Sequence, residues 1–227
     1  MDFQAVMGEL EALGTAQNRK VYPRHGVQEP LFGVSFANLG KLHKKIRQDH
    51  ALALELWASG NHDARVLATM VADASALGLR ELDGWCREID NYIVADAFSK
   101  LVARGPHRRR KVDTWTRSPR EFVGQTGYNL LASLALDDGE EIEDAYFVAH
   151  LERIEEHIHD RANRIRHAMN QALISIGVRT PPLTTKALAA AGRIGKVDVE
   201  HGDTSCKTPD AADYIRRTLE HRQKKAE

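Results

Sequence analysis

Apolar residues recur along this chain at the three- and four-residue spacing of an amphipathic helix, segment after segment, and no stretch of useful length alternates as a half-buried strand does. A chain patterned this way buries helix faces on other helices. The first segment places Phe3, Val6, Met7 and Leu10 on one stripe. A second aligns Phe36, Leu39, Leu42 and Ile46 behind Ser35, a residue suited to cap a helix N-terminus. Leu52, Leu56 and Trp57 follow as core, then Val66, Leu67, Met70 and Val71 behind a second cap, Asn61. Residues 81–105 read as two helices broken near Asp90–Asn91, the second being the most apolar in the chain. Ser118-Pro119-Arg120-Glu121 supplies a cap, a first-turn proline and an acid at the third position, so a helix is expected to open at Ser118. Further helices are expected over 144–158 and 160–177, with Gly177 as a stop, over 184–195, and after Thr208-Pro209.

The pattern predicts about ten or eleven helices joined by short polar turns. Their pairing repeats at roughly 35–45 residues, the period of HEAT-like units. The expected architecture is all-α, a solenoid of stacked helix pairs forming a single domain over 1–227 with a loop-helix extension at 196–227. A compact helical bundle would bury the same stripes.

Composition removes several classes. Hydrophobic residues make up 42% and charged residues 28%, too apolar for a disordered chain. No apolar run approaches the ~20 residues of a membrane span, and the N-terminus reads as an amphipathic helix, not a signal peptide. The two cysteines, Cys86 and Cys206, are far apart and form no CxxC, which argues against a disulfide framework or cysteine zinc site. A cytoplasmic, reduced setting follows. Lys plus Arg and Asp plus Glu are 32 each, so net charge does not announce a nucleic-acid binder. Basic residues nevertheless gather at 19–25, 41–47, 104–111 and 216–225, and acid at 137–144. A polarised neutral protein can present one basic face, although charge runs also serve as plain solvated surface.

Among individual residues Asp96 stands out, because a carboxylate inside the most apolar helix is expensive unless paired or functional. Tyr92 lies one turn earlier on the same face. A pairing or capping role for Asp96 is the alternative. Trp57 reads as core, while Trp85 and Trp115 fit either core or a base-stacking role. Trp115 follows the basic run Arg108, Arg109, Arg110 and Lys111. Arg161, Arg164 and Arg166 share a helix with Asn163 and Asn170 and suit phosphate contacts, or salt bridges with Glu155, Glu156 and Asp160. Glu156 and His159 form a single ExxH, whereas a di-iron bundle needs two. His201, Asp203 and Cys206 share one loop, HGDTSCKTPDA, which reads more readily as a turn than as a metal site.

Four stretches, 32–73, 85–98, 158–177 and 201–215, together resemble the DNA alkylation repair family of HEAT-like glycosylases, closest to a short bacterial branch. The resemblance implies a right-handed helical solenoid whose concave face holds double-stranded DNA. It also implies removal of cationic N-alkylated purines, such as 7-methylguanine and 3-methyladenine, by a monomer without metal or cofactor and without a deep base pocket. The family's catalytic aspartate matches Asp96 and the aromatic four positions before it matches Tyr92. The arginine of a later helix falls within residues 123–128, at or beside Gln125, and a further tryptophan falls within 168–173, at about Gln171, so these two are not retained. The family also contains members without glycosylase activity.

An alkylated purine cation is a good leaving group, and its departure builds positive charge on the sugar. A nearby carboxylate stabilises that charge and orients water, with no general acid required. The resemblance therefore implies a glycosylase with Asp96 as the carboxylate. The alternatives are a non-catalytic module that binds damaged or structured DNA, and a protein-binding solenoid.

Overall fold

A computed structural model describes residues 1–137, 139 and 141–226, the last without its side chain. The acidic stretch 137–144 includes Asp138 and Glu140, which lie outside the described residues. Among the described residues the structure is helical, with no strand. No helix is long and apolar enough to cross a membrane. The chain divides into two compact units, residues 1–108 with 201–204, and 109–200 with 205–227.

The first unit contains α1 (Phe3–Leu13), α2 (Ala16–Val21), α3 (Phe36–Ile46), α4 (His50–Ala58), α5 (His62–Val71), α6 (Leu79–Glu88) and α7 (Tyr92–Ala103). Side-chain caps set most of these boundaries. Ser35, Asp49, Asn61 and Asn91 each accept a backbone N–H from the first turn of the helix that follows. The expected break near Asp90–Asn91 is therefore the Asn91 cap. Helix α5 is central and packs on α1, α3, α4 and α7.

Asp63, fully buried in the first turn of α5, organises the segment before α3. Its carboxylate accepts N–H bonds from Phe32 (2.7 Å), Gly33 (2.9 Å) and Val34 (2.9 Å). Three backbone donors that would otherwise lack partners are satisfied at once. Trp57 and Trp85 are both core. Their rings stack at 4.2 Å with Phe98 alongside, Arg65 lies 5.3 Å over Trp57, and Trp57 Nε1 donates to Glu88 at 2.8 Å.

The stripe expected on α3 needs one correction. Leu39 and Leu42 are buried, but Phe36 is 51% exposed. The packed face of α3 runs through Leu39 and Leu42, and Phe36 falls on the neighbouring stripe with His43, one heptad later.

The second unit contains α8 (Arg108–Trp115, beginning at the unit boundary), α9 (Glu121–Ala135), α10 (Asp144–His157), α11 (Asn163–Gly177), α12 (Pro181–Ile194) and α13 (Ala211–Ala226). Helix α11 is its centre and packs on α9, α10, α12 and α13. Several boundaries differ from expectation. α9 starts at Glu121, not Ser118, because the Glu121 carboxylate accepts the Arg164 N–H (2.7 Å) and makes no capping box. α13 starts at Ala211, with Asp210 accepting the Asp213 N–H (2.9 Å), while the Pro209 carbonyl accepts from Asn170 (3.0 Å) outside the helix. α12 begins earlier, at Pro181 behind the Thr180 cap. Helices α2 and α8 lie in basic runs where few apolar residues mark a period.

Two glycines are packing devices. A Cβ on Gly177, the last residue of α11, would lie 2.5 Å from Ile215 Cδ1, so this glycine admits α13 instead of reversing the chain. A Cβ on Gly127 in α9 would lie 2.5 Å from the Thr116 backbone nitrogen and 2.6 Å from the Trp115 carbonyl carbon. Backbone cannot yield as a side chain does, so Gly127→Ala is expected to destabilise by about 2 kcal/mol. In thermal denaturation this is a Tm lowered by roughly 4–8 °C; an unchanged melt would contradict the close approach.

Candidate functional site

Helix α7 has two working faces. Val94, Ala95, Phe98, Leu101 and Val102 are buried and hold the helix in the first unit. The adjoining stripe of Ile93, Asp96, Ala97, Lys100 and Arg104 lines a cavity of about 350 Å³, the size of a small-ligand site. Phe36 and His43 of α3 also line it, as do Thr69 and Met70 of α5. Since α5 packs between α3 and α7, Thr69 and Met70 form a floor between two helical walls. Arg104 donates to the Thr69 carbonyl at 3.0 Å, which fixes its guanidinium at the cavity. One half-buried carboxylate, Asp96, thus shares a cavity with three basic side chains and one exposed aromatic ring.

Asp96 lies where the helical spacing puts it, on a stripe that lines a cavity. Tyr92 occupies the first position of the same helix, but its hydroxyl is 2.5 Å from His25 Nδ1, and the two rings lie 6.1 Å apart. The cavity wall at that end is Ile93, and the aromatic ring in the cavity is Phe36. Sequence reasoning missed Phe36, His43, Lys100 and Arg104. The last two were legible as a continuation of the Asp96 stripe, at four and eight positions beyond it. The residues from α3 carried no such signal.

The expected contacts elsewhere separate into surface and interior. Arg109 and Arg110 are exposed, with Arg109 lying 4.9 Å over the Tyr146 ring. Arg108 is half-buried and donates to the Ala103 carbonyl (3.3 Å). Lys111 and Trp115 correct the expectation, being only 3% and 4% exposed, with the ammonium 5.2 Å over the indole. An ammonium covering a buried indole is a packing contact, which leaves neither side chain open to a duplex. Gln125 is 2% exposed inside α9, so it offers no surface contact either. Arg161 donates to the Ser118 carbonyl. Arg164, Arg166 and Gln171 are half-buried along α11.

The remaining motifs have local roles. His159 of the ExxH donates to the Ile194 carbonyl at 2.9 Å. In the 201–209 loop, the Thr204 hydroxyl donates to the His201 carbonyl (2.8 Å), Gly202 takes φ +61°, and Asp203 and Cys206 are exposed. Among the described residues no group of three or more His, Cys, Asp or Glu is placed to hold a metal ion.

Comparison with known proteins follows the same lines. A family profile described as DNA alkylation repair enzyme matches residues 6–215. Uncharacterized proteins of Listeria innocua and Listeria monocytogenes are 27% and 26% identical, with 95% of this chain and 96% of each relative covered. A solved structure is similar with a TM-score of 0.88 and 29% identity, covering 97% of this chain and 95% of that one. It is described as belonging to a new family of proteins related to the HEAT-like repeat DNA glycosylases with affinity for branched DNA structures. The all-α HEAT-like class expected from helical periodicity is the fold of this chain.

Proposed function

We propose that this chain, which belongs to the DNA alkylation repair enzyme family, binds DNA at the Asp96 cavity and there hydrolyses the N-glycosidic bond of cationic N-alkylated purines. The observation that carries this reading is the position of Asp96: a carboxylate in a cavity whose other polar side chains are mostly basic. His43, Lys100 and Arg104 suit the phosphates on either side of a lesion, since most protein–DNA hydrogen bonds go to the backbone. Asp96 suits the sugar between them. As the C1′–N bond lengthens, the electron pair leaves with the alkylated base and positive charge collects on the deoxyribose ring. Asp96 stabilises that charge, orients water for attack at C1′ and accepts the proton that the water gives up as the C1′–O bond forms. The base departs neutral, so no acid is required. The second unit, taken by itself, carries exposed positive charge at Arg109 and Arg110.

A second reading, binding without hydrolysis, is favoured by specific observations. The Tyr92 hydroxyl is engaged by His25, and Gln125, which the resemblance puts at or beside the family arginine, is buried. The solved relative is itself described by its affinity for branched DNA.

The deciding experiment measures 7-methylguanine and 3-methyladenine release from methylated duplex DNA in the presence of chelator. The same preparations are assayed for DNA binding at two salt concentrations. Asp96→Asn is expected to lower release at least about a hundredfold while leaving salt-sensitive binding in place. Salt-sensitive binding with no release by either protein selects the second reading. Absence of both removes DNA as the partner.

A further inference from the structure

We propose that Phe36 is a base-stacking residue, one that gives this chain a preference for DNA carrying an unpaired nucleotide over fully paired duplex. The inference rests on the reading of the Asp96 cavity as a DNA site and adds the nucleotide state that the cavity selects.

Phe36 is the one exposed phenylalanine among the described residues; Phe98 and Phe147 are fully buried, and Phe3, Phe32 and Phe122 are half-buried. The ring is 51% exposed, whereas α3 buries Leu39 and Leu42. Its backbone is nevertheless held firmly. Phe36 is the first residue of α3, directly behind the Ser35 cap, whose hydroxyl accepts the Asn38 N–H (3.3 Å). The preceding residues 32–34 are pinned by the buried Asp63 carboxylate. A ring presented from a rigid helix terminus loses little entropy when it binds, which is how a recognition residue is best mounted.

The surroundings specify the occupant. The ring shares its cavity with Lys100 and Arg104, which favour an anionic ligand, with His43, and with Ile93 and Met70, which favour an apolar face. A nucleotide has both, a phosphate and a flat base. In an intact duplex both faces of a base are covered by its neighbours, so Phe36 has nothing to stack on. At a bulge or branch point a base face is free. Stacking on an aromatic side chain tolerates any base, because every base has a π-face.

The test compares Kd for a duplex containing a one-nucleotide adenine bulge with Kd for the paired duplex of the same sequence. The proteins are wild type, Phe36→Ala, Phe36→Leu and Phe36→Trp, at one salt concentration. Wild type is expected to favour the bulge. Phe36→Ala is expected to weaken bulge binding about tenfold and duplex binding by less than about twofold. Phe36→Trp is expected to retain the preference, and Phe36→Leu, apolar but without a π-face, to lose most of it. Thermal denaturation of Phe36→Ala is expected to match wild type, since the ring is exposed. Equal losses on both DNAs, or Leu performing as well as Trp, overturn the stacking role alone. Wild-type failure to bind either DNA overturns the DNA reading of the cavity and this inference with it.

Discussion

Replacement of Asp63 by alanine is expected to lower the stability of the protein by about 4 kcal/mol, which in thermal denaturation is a fall in Tm of roughly 8–16 °C. Phe32, Gly33 and Val34 each donate a backbone N–H to this one side chain, which is fully buried in α5. Hydrogen bonds to a charged acceptor contribute about 1.5–3 kcal/mol each, and they are not additive when they share an acceptor. Alanine leaves all three donors without a partner, at least two of them in buried backbone. Asp63→Asn keeps one acceptor oxygen but turns an NH2 toward N–H donors, so about half the loss is expected. Amide exchange at residues 32–34 should accelerate before the rest of the first unit opens. A Tm within about 2 °C of wild type for Asp63→Ala would mean that these bonds contribute little. The effect bears on function, because this segment delivers Phe36 and the rest of α3 to the cavity.

Acid is expected to destabilise the protein between about pH 6.5 and pH 4, with His150 a principal cause. Burial in α10 holds the imidazole pKa down to about 4. Asp113 pulls it upward, and Arg153 and Arg117 push it lower. Its Nδ1 is buried without a hydrogen-bond partner among the described residues, so a proton placed there would have no acceptor. Above about pH 6.5 neither the folded nor the unfolded chain carries the proton, and the group is silent. As pH falls from about 6.5 to 4 the unfolded chain takes up a proton that the folded chain refuses, and stability declines by about 3 kcal/mol across the window. His62 acts with the same sign. Its burial lowers its pKa against the opposing pull of Asp63 and Asp90. Denaturant titrations at pH 7 and pH 4 test this directly. His150→Phe keeps a flat ring against Tyr146, whose ring centroid is 4.8 Å away, but cannot titrate. The variant is expected to lose about 3 kcal/mol less than wild type between the two pH values; an identical pH dependence would exclude His150 as the cause.

Helix caps and helical stripes were legible because each is written within one or two turns of chain. Ser35 and Asn61 cap where expected, Asn91 caps at the expected break, and the apolar face of α7 is the buried one. Where a local signal competed with a distant partner, the partner prevailed. The Ser118–Glu121 capping box is absent, and the Glu121 carboxylate instead accepts the Arg164 N–H; Gly177 ends α11 as expected and is also a seat for Ile215.

The amino-acid pattern by itself determined that this is an all-helical chain, placed several of its helix ends, and put Asp96 on one stripe of its most apolar helix. All of these follow from interactions between residues no more than a few positions apart. Tertiary structure alone decided which helices wall the Asp96 cavity, that Phe36 faces it while Tyr92 turns to His25, and that Lys111 and Trp115 are interior. Those outcomes depend on which stripe of one helix meets which stripe of another. That choice is made by shape and by single polar partners distant in sequence, such as Asp63 for the segment leading into α3, and periodicity carries no record of it.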